Sequence, residues 1–304
     1  MAADRIQDSR LVQLKAEAEK AFGRELSAAG LKSFYLNDEQ PDPGFYAQLN
    51  DLNRQISRAM RSPEMRKLFR KKKAGEISHD ELQQAMDKIH ASLTAQYTAL
   101  DKLLSVEKLP KADCEFTDGK LLELRQPHVG ILRRTAYTLL GRLRVTPAAA
   151  SELSVNIFKL MQTMSSSTFS GIIAQNKIFD RWCETVRQLK ADKKITDEQY
   201  AQLKTLAQKA IAQIDFQKQL AGLIYCEAVF AYDLYRAHSL TTIDAAGAYF
   251  RFDRAAALKS LLELYRSNGK DFRKPERGIA RMLAVPWNVY SDMESNYKAK
   301  LGEL

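Results

Sequence analysis

The segment ISHDEL at residues 77–82 has the design of a helix start, and ITDEQY at residues 195–200 repeats it. Each contains a Ser or Thr as N-cap and a Glu or Gln three residues later, flanked by the two apolar residues of a hydrophobic staple. Because apolar residues continue at helical spacing, we predict long helices over about residues 79–105 and 197–238. A duplicated helical hairpin would also account for the pair, although such starts join antiparallel helices in general.

Helical spacing extends over most of the chain. It begins with an N-terminal apolar stripe and continues in a second helix; the stripe positions are Leu11, Leu14, Ala18, Phe22 and Leu26, then Leu49, Leu52, Ile56 and Met60. Gly30 is predicted to end the first helix, and Ser62 with Pro63 to begin a short one that ends near Lys73. Further helices are predicted from Pro147 to about residue 164, from there to about 190, and over residues 243–250, 253–267, 276–284 and 287–300.

Strand signals are nearly absent, because no hairpin dipeptide lies between alternating apolar runs. We therefore predict an all-α, multi-helix bundle of about nine to ten helices in two helical subdomains. The N-terminal domain would span residues 1–106 and contain a basic helix pair. Residues 107–145 would form a basic connector, and residues 146–304 a C-terminal helical domain with one long central helix.

Length and composition exclude several classes of protein. A chain of 304 residues with 45% hydrophobic side chains can bury a full core without disulfides or metals. The N-terminus lacks a secretory signal, and no apolar run spans a bilayer, so we expect a soluble protein. The cysteines, Cys114, Cys183 and Cys226, lack any metal-binding spacing, which indicates buried thiols in the reducing cytoplasm.

The excess positive charge is segregated along the chain. The net charge is +10, yet residues 54–73 contain nine basic side chains and one acidic side chain. Residues 124–151 contain five arginines and no acid, and residues 251–281 contain nine basic and four acidic groups. Segregated charge produces a local field that favours a polyanion, whereas solubilising charge is interspersed with its opposite.

Helical spacing places part of this charge on one face of two predicted helices. Arg54, Arg58 and Arg61 recur at steps of four and three, as do Arg66 and Arg70, whereas the opposite face is apolar. That apolar face consists of Ile56, Met60, Met65, Leu68 and Phe69. The arginine guanidinium donates two parallel hydrogen bonds to phosphate, so we predict a nucleic-acid-binding surface. Its residues are Arg54, Arg58, Arg61, Arg66, Lys67, Arg70, Lys71, Lys72, Lys73, Arg125, Arg133, Arg134, Arg142 and Arg144.

The basic face is also compatible with roles outside nucleic-acid binding. It could be solvated, paired with acidic groups of the same chain, or bound to an acidic protein. An anionic membrane fits less well, because the apolar faces have the width needed for a core. Aromatic and basic residues also interleave in residues 249–252, 265–266 and 272–273, where core packing is favoured over base stacking.

Motifs of an active site are absent from the sequence. No phosphate-binding loop, dinucleotide fingerprint, nucleophile elbow or zinc-protease motif occurs, and no metal or cofactor is expected. The histidines, His79, His90, His128 and His238, are scattered and are predicted to be surface or capping residues. Polar residues from Asp215 to His238, with Glu227 and Asp233 among them, could form an acid–base pocket, but bonding between helices accounts for them more simply.

The sequence resembles no family that we can name. The function it favours is a non-enzymatic, cytoplasmic, nucleic-acid-backbone-binding subunit of a larger assembly, with RNA or DNA as the partner. The first alternative is a helical scaffold or adaptor that binds an acidic protein partner. The second is an enzyme with a helical-bundle site within residues 215–238.

Overall fold

A computed structural model of the chain describes residues 2–37, 39–112, 127–164, 169–229, 232, 254–267 and 293–304. In these ranges the protein is all-α, as predicted. The helices are α1 (Ala2–Phe22), α2 (Ala28–Leu36), α3 (Pro43–Met60), α4 (Pro63–Lys73), α5 (His79–Ser92), α6 (Thr94–Leu104), α7 (Pro127–Val145), α8 (Ala150–Met164), α9 (Phe169–Ala191), α10 (Asp197–Ala212), α11 (Phe216–Val229), α12 (Arg254–Arg266) and α13 (Met293–Gly302). One 3-10 turn, Pro147–Ala149, precedes α8.

Three of the predicted helix starts are confirmed. Ser78 accepts a hydrogen bond from Glu81 N at 3.1 Å while the Glu81 carboxylate accepts from Ser78 N at 2.7 Å. Thr196 and Gln199 form the same capping box at the start of α10, with distances of 3.1 and 2.9 Å. Ser62 caps α4 by accepting from Met65 N at 3.3 Å. Each cap satisfies a backbone donor that the helix itself leaves unpaired.

The predicted number of helices was wrong, because the part of the chain that the structure describes already holds thirteen. Both predicted long helices are divided. At Leu93, between α5 and α6, the hydroxyls of Ser92 and Thr94 bond back to the carbonyls of the preceding turn. Such local bonds compete with the helical pattern. Between α10 and α11, Asp215 accepts from Lys218 N at 2.8 Å and caps a new helix.

The predicted connector at residues 107–145 contains a core helix. Helix α7 packs against α3, α8 and α9 and buries Leu132, Ala136, Leu139 and Leu143. These residues recur at steps of four, three and four, so the helical signal is present in the sequence although the prediction missed it. The division into two helical subdomains stays a prediction.

The core is one continuous cluster that extends from Leu11 in α1 to Leu304 after α13. Helices α7, α8 and α9 pack against one another, and α8 also packs against α10. At the other end, α12 lies against α1 and α11. Trp182 of α9 is fully buried and donates from Nε1 to the Ser154 hydroxyl of α8 at 2.9 Å, which joins these two helices.

Three further predictions about single residues were wrong. Gly30 does not end the first helix, which ends at Phe22; it lies inside α2, where the backbone approaches Tyr225 closely. His90 and His128 are buried instead of lying at the surface, and they contact the hydroxyls of Tyr97 and Tyr35 at 2.6 and 3.2 Å. Desolvation lowers the pKa of His128 to about 4, so this ring is neutral at neutral pH.

Other predictions are confirmed or lie outside the described residues. The helix predicted at 253–267 is α12, and Cys183 and Cys226 are buried free thiols as expected. No helix in the described ranges combines the length and the apolar character that crossing a membrane requires. Outside them lie Cys114, Arg125, Asp233, His238, residues 165–168, the aromatic segment 249–252 and the helices predicted at 243–250 and 276–284.

Candidate functional site

A groove rich in arginine lies where α3, α4 and α7 meet. Its volume is about 490 Å³. It is lined by Asn53, Arg54, Ser57, Arg58, Arg61, Ser62, Pro63, Arg66 and Arg134. Five of these nine residues are arginines and none is acidic. We call this site the arginine groove.

Helix α3 supplies Arg54 and Arg58, and its C-cap residue is Arg61; the helix presents them on one side because it is amphipathic. Its apolar face buries Leu49 and Ile56 in the core, where they are 0% and 2% exposed. The arginines at 54, 58 and 61 occupy the opposite side at helical spacing and are exposed to solvent. They extend over roughly 10 Å of helix axis, given a rise of about 1.5 Å per residue.

The turn between α3 and α4 places Arg66 beside Arg61. The Nε–H of Arg66 donates to the Arg61 carbonyl at 2.9 Å, so the side chain bends back over the turn. Met65 of α4 is fully buried, and α4 packs against α5. Pro63 starts α4 at a position where its missing N–H costs nothing. The turn therefore holds two guanidinium groups on the same side of the molecule.

The fifth arginine comes from α7, far away in the sequence. Arg134 Nη2 donates to Asn50 Oδ1 of α3 at 3.0 Å. Because an amide oxygen carries no net charge, this bond orients the guanidinium without neutralising it. The packing of α7 against α3 thus adds a cation to the groove that no local pattern places there.

Asn53 is a buried polar residue among the lining residues and is 2% exposed. Its Nδ2 donates to Thr135 Oγ1 at 2.8 Å, and the Thr135 hydroxyl in turn donates to the Ile131 carbonyl at 3.0 Å. The Thr135 oxygen must therefore accept from Asn53, which orients the Asn53 amide. Asn53 Oδ1 has no hydrogen-bond donor among the described residues. A buried acceptor without a donor is uncommon, because nothing compensates the desolvation of its oxygen.

The groove has an unbalanced positive charge. None of its five guanidinium groups forms an ion pair with a carboxylate of the described chain. Lys71 of α4, which does not line the groove, acts on the acid Glu81. Hydrogen bonds from Ser78 are the main cause that lowers the pKa of Glu81, and the positive charge of Lys71 lowers it further. Cations in a concave site without counter-charge concentrate the field and attract an anion.

The structure brings together only part of the predicted binding surface. The groove contains Arg54, Arg58, Arg61, Arg66 and Arg134. The remaining basic residues of α4 continue along that helix beyond the groove: exposed Lys67, Arg70 and Lys73, and half-buried Lys71 and Lys72. Arg133 is exposed on α7 but is not among the lining residues.

Two predicted residues of α7 are engaged elsewhere. Arg142 donates to both carboxylate oxygens of Asp101 at 2.7 Å and lies over the Tyr97 ring, 4.8 Å from its centroid. Arg144 donates to the Thr185 hydroxyl of α9 at 3.4 Å. The charge of Arg142 is therefore balanced within the protein.

The sequence prediction missed the neutral residues of the groove. The sequence does contain a signal for Asn53. It lies four residues after Leu49 and three before Ile56, so it is a polar residue at a position on the apolar face. A polar residue at such a position needs a partner in the fold. Ser62 gave no signal beyond helix capping, and Ser57, inside α3, gave none.

The alternative site near residues 215–238 receives no geometric support in the described part of the chain. Burial raises the pKa of Glu227 to about 7. A second groove, about 400 Å³ in volume, is formed by Ala21, Gln217, Leu220, Ala221, Ile224, Tyr265 and Arg266. It includes neither Glu227 nor Asp215, so no pair of acids lines it.

Comparisons with known proteins add no relative: no family model matches the chain, and neither a similar curated protein nor a similar solved structure was found.

Proposed function

We propose that the protein binds the phosphate backbone of a nucleic acid in the arginine groove, without catalysing a reaction. The observation that carries the proposal is the convergence of five arginines from three helices on a concave site that no acid of the described chain lines. A planar guanidinium matches the geometry of a phosphate, and each contact releases counterions from the nucleic acid.

The basic side chains of α4 support a polymeric ligand over a small anion. Lys67, Arg70 and Lys73 are exposed and extend the positive surface away from the groove along the same helix. A chain of phosphates could follow this surface after leaving the groove, whereas a single phosphate would use the groove alone. An acidic protein is the competing partner and would bind through carboxylates in place of phosphates.

The buried thiols support a cytoplasmic location as part of the proposal. Desolvation raises the pKa of Cys183 to about 12, so this thiol is unreactive, and it is a free cysteine in the described chain. Such unpaired cysteines are typical of proteins from reducing compartments.

The test is a salt titration of binding. Anisotropy of a labelled oligonucleotide would be measured between about 50 and 200 mM salt for the natural protein and two triple variants. One variant replaces Arg54, Arg58 and Arg61 by Glu; none of these side chains makes a hydrogen bond or ion pair in the described chain, so the fold should survive. Its matched control makes the same change of charge at exposed Lys194, Lys209 and Lys218, away from the groove.

We expect a plot of log K against log salt with a slope of about −3.5 for a single strand that contacts all five arginines. The groove variant should bind at least about 100-fold more weakly at low salt, whereas the control should stay within a few fold. Equal losses in both variants would show a response to net charge alone and would contradict the proposal. Binding of an acidic protein, with no binding of nucleic acid, would favour the adaptor alternative.

A further inference from the structure

Two aromatic rings on helices that build the arginine groove have no aromatic or cationic partner in the described part of the protein. Phe69 of α4 is 47% exposed, and Tyr137 of α7 is 40% exposed. The sequence pattern placed Phe69 on the apolar face of its helix, and the structure corrects this expectation. Met65, four residues earlier on the same face of α4, is fully buried, whereas the described chain leaves Phe69 largely uncovered.

These two rings differ from the other aromatic side chains that the structure describes. Every other one contacts a second ring or a cation. The ring of Tyr225, for example, packs against Phe22 and Phe34. Phe69 and Tyr137 form neither kind of contact with the residues that the structure describes. An exposed ring without such a neighbour can offer its face to a ligand.

Both rings lie one helical turn from an arginine of the groove. Phe69 follows Arg66 by three residues on α4, and Tyr137 follows Arg134 by three residues on α7. Residues three apart are neighbours on a helix surface. The exposed large apolar residues outside these helices, Val12, Val106 and Val155, are all aliphatic. Phe69 and Tyr137 are therefore the most exposed aromatic side chains in the described chain, and both lie on helices that build the groove.

We propose that the occupant of the groove is a single-stranded nucleic acid whose phosphates bind the arginines while its bases stack on Phe69 and Tyr137. This inference rests on the proposed function and names the form of nucleic acid. Single strands are held by a positively charged groove together with aromatic platforms, because every base has a π-face. In a duplex the bases are already stacked on one another and cannot reach a protein ring without being unpaired.

The experiment compares three oligonucleotides of equal length, about 12 nucleotides each. They are an unstructured single strand, the duplex formed with its complement, and an abasic strand that keeps the sugar and phosphate backbone. The protein variants are Phe69→Leu, Tyr137→Leu and the conservative Tyr137→Phe, which keeps the ring and removes the hydroxyl. Val155→Ala, at an exposed position of α8, is the matched control. Circular dichroism and thermal unfolding confirm that each variant folds.

We expect the natural protein to bind the single strand at least about 10-fold more tightly than the abasic strand or the duplex. Each Leu variant should weaken binding of the single strand by roughly 5- to 100-fold and leave binding of the abasic strand unchanged. Tyr137→Phe and Val155→Ala should behave like the natural protein.

Three outcomes overturn the inference in distinguishable ways. Equal affinity for the single strand and the abasic strand, unaffected by the Leu variants, would show recognition of phosphate alone and leave the proposed function in place. Preferential binding of the duplex would reject base stacking while keeping a nucleic-acid ligand. Failure of all three oligonucleotides to bind would reject both proposals, since no phosphate chain would then occupy the groove.

Discussion

Arg142 and Asp101 form a two-pronged ion pair in which one guanidinium nitrogen lies 2.7 Å from each carboxylate oxygen. The pair joins α7 to α6 across 41 residues, and both side chains are largely buried, with exposed fractions of 16% and 23%. The same guanidinium lies over the Tyr97 ring, whose hydroxyl contacts buried His90. A cation that sequence patterning assigned to a binding surface is thus part of the protein's own packing.

Replacement of Arg142 should therefore affect stability and leave ligand binding intact. We expect Arg142→Ala to lower the free energy of unfolding by about 2–4 kcal/mol, because it leaves the Asp101 carboxylate partly buried without its partner. Chemical denaturation would measure this loss. The salt dependence of nucleic-acid binding should match that of the natural protein, and a lower slope would place Arg142 in the interface after all.

Two adjacent arginines of α7 provide a matched test of the groove. Arg134 lines it and Arg133 does not, although both are exposed and each carries one charge. Arg134→Ala should reduce the magnitude of the salt slope for a single strand by about 0.7, which is the contribution of one phosphate contact. Arg133→Ala should leave the slope unchanged. A titration in which the two variants are indistinguishable would argue against the groove as the binding site.

Gly30 should be sensitive to the smallest enlargement. A Cβ at this position would overlap the Glu25 carbonyl oxygen and lie 2.7 Å from the Tyr225 hydroxyl, which itself donates to that carbonyl at 2.5 Å. Gly30→Ala should lower the free energy of unfolding by about 1–3 kcal/mol through overpacking. Thermal unfolding would measure this change.

Gly130 is the matched control for that variant. It lies within α7, and a Cβ there would meet nothing within 4 Å. Gly130→Ala should raise the free energy of unfolding by about 0.5–1 kcal/mol, because alanine loses less conformational freedom in a helix than glycine. Stabilisation by both substitutions would contradict the close approach at Gly30.

Glu227 should make stability depend on pH. Burial raises the pKa of its carboxyl from 4.5 to about 7 in the folded protein, so the folded state holds the proton more tightly than the unfolded state. The resulting stability is fully present below about pH 4.5 and is lost as pH rises through about pH 7. Above that range the ionised carboxylate costs the folded state about 3 kcal/mol.

Glu227→Gln should remove this dependence. We expect the variant to be more stable than the natural protein at about pH 8.5 and little different at about pH 4.5. Unfolding in urea at both pH values measures the effect, and Glu152→Gln at an exposed position of α8 serves as the control. A variant that loses stability at the higher pH would show that the ionised carboxylate has a favourable partner.

Local features of the fold were predictable from the sequence. Ser62, Ser78 and Thr196 cap the helices that follow them, as their spacing to Pro63, Glu81 and Gln199 indicates. The interruptions at Leu93 and Gln213 were not predicted, because the apolar spacing continues through both of them. At Leu93 the hydroxyls of Ser92 and Thr94 donate to backbone carbonyls, and after Gln213 the Asp215 carboxylate caps a new helix; such side-chain bonds compete with the helical pattern.

The candidate site was predictable only in part. Helical spacing correctly placed Arg54, Arg58 and Arg61 on one face of α3, opposite the buried residues. It could not distinguish Arg134 from Arg142, because both occur in a stretch without acids and differ only in what packs nearby. It also placed Phe69 in the core, since a periodic pattern defines the direction of a side chain and leaves open whether another element covers it.

The all-α class and the helix starts thus depend on interactions between residues a few positions apart. The segregation of charge is read directly from the order of residues, so none of these features requires the tertiary structure. The grouping of five arginines, the neutralisation of Arg142 and the exposure of two rings depend on how α3, α4 and α7 meet. Those helices meet through side chains that are distant in sequence, and the shape and burial of their interfaces are properties of the whole core.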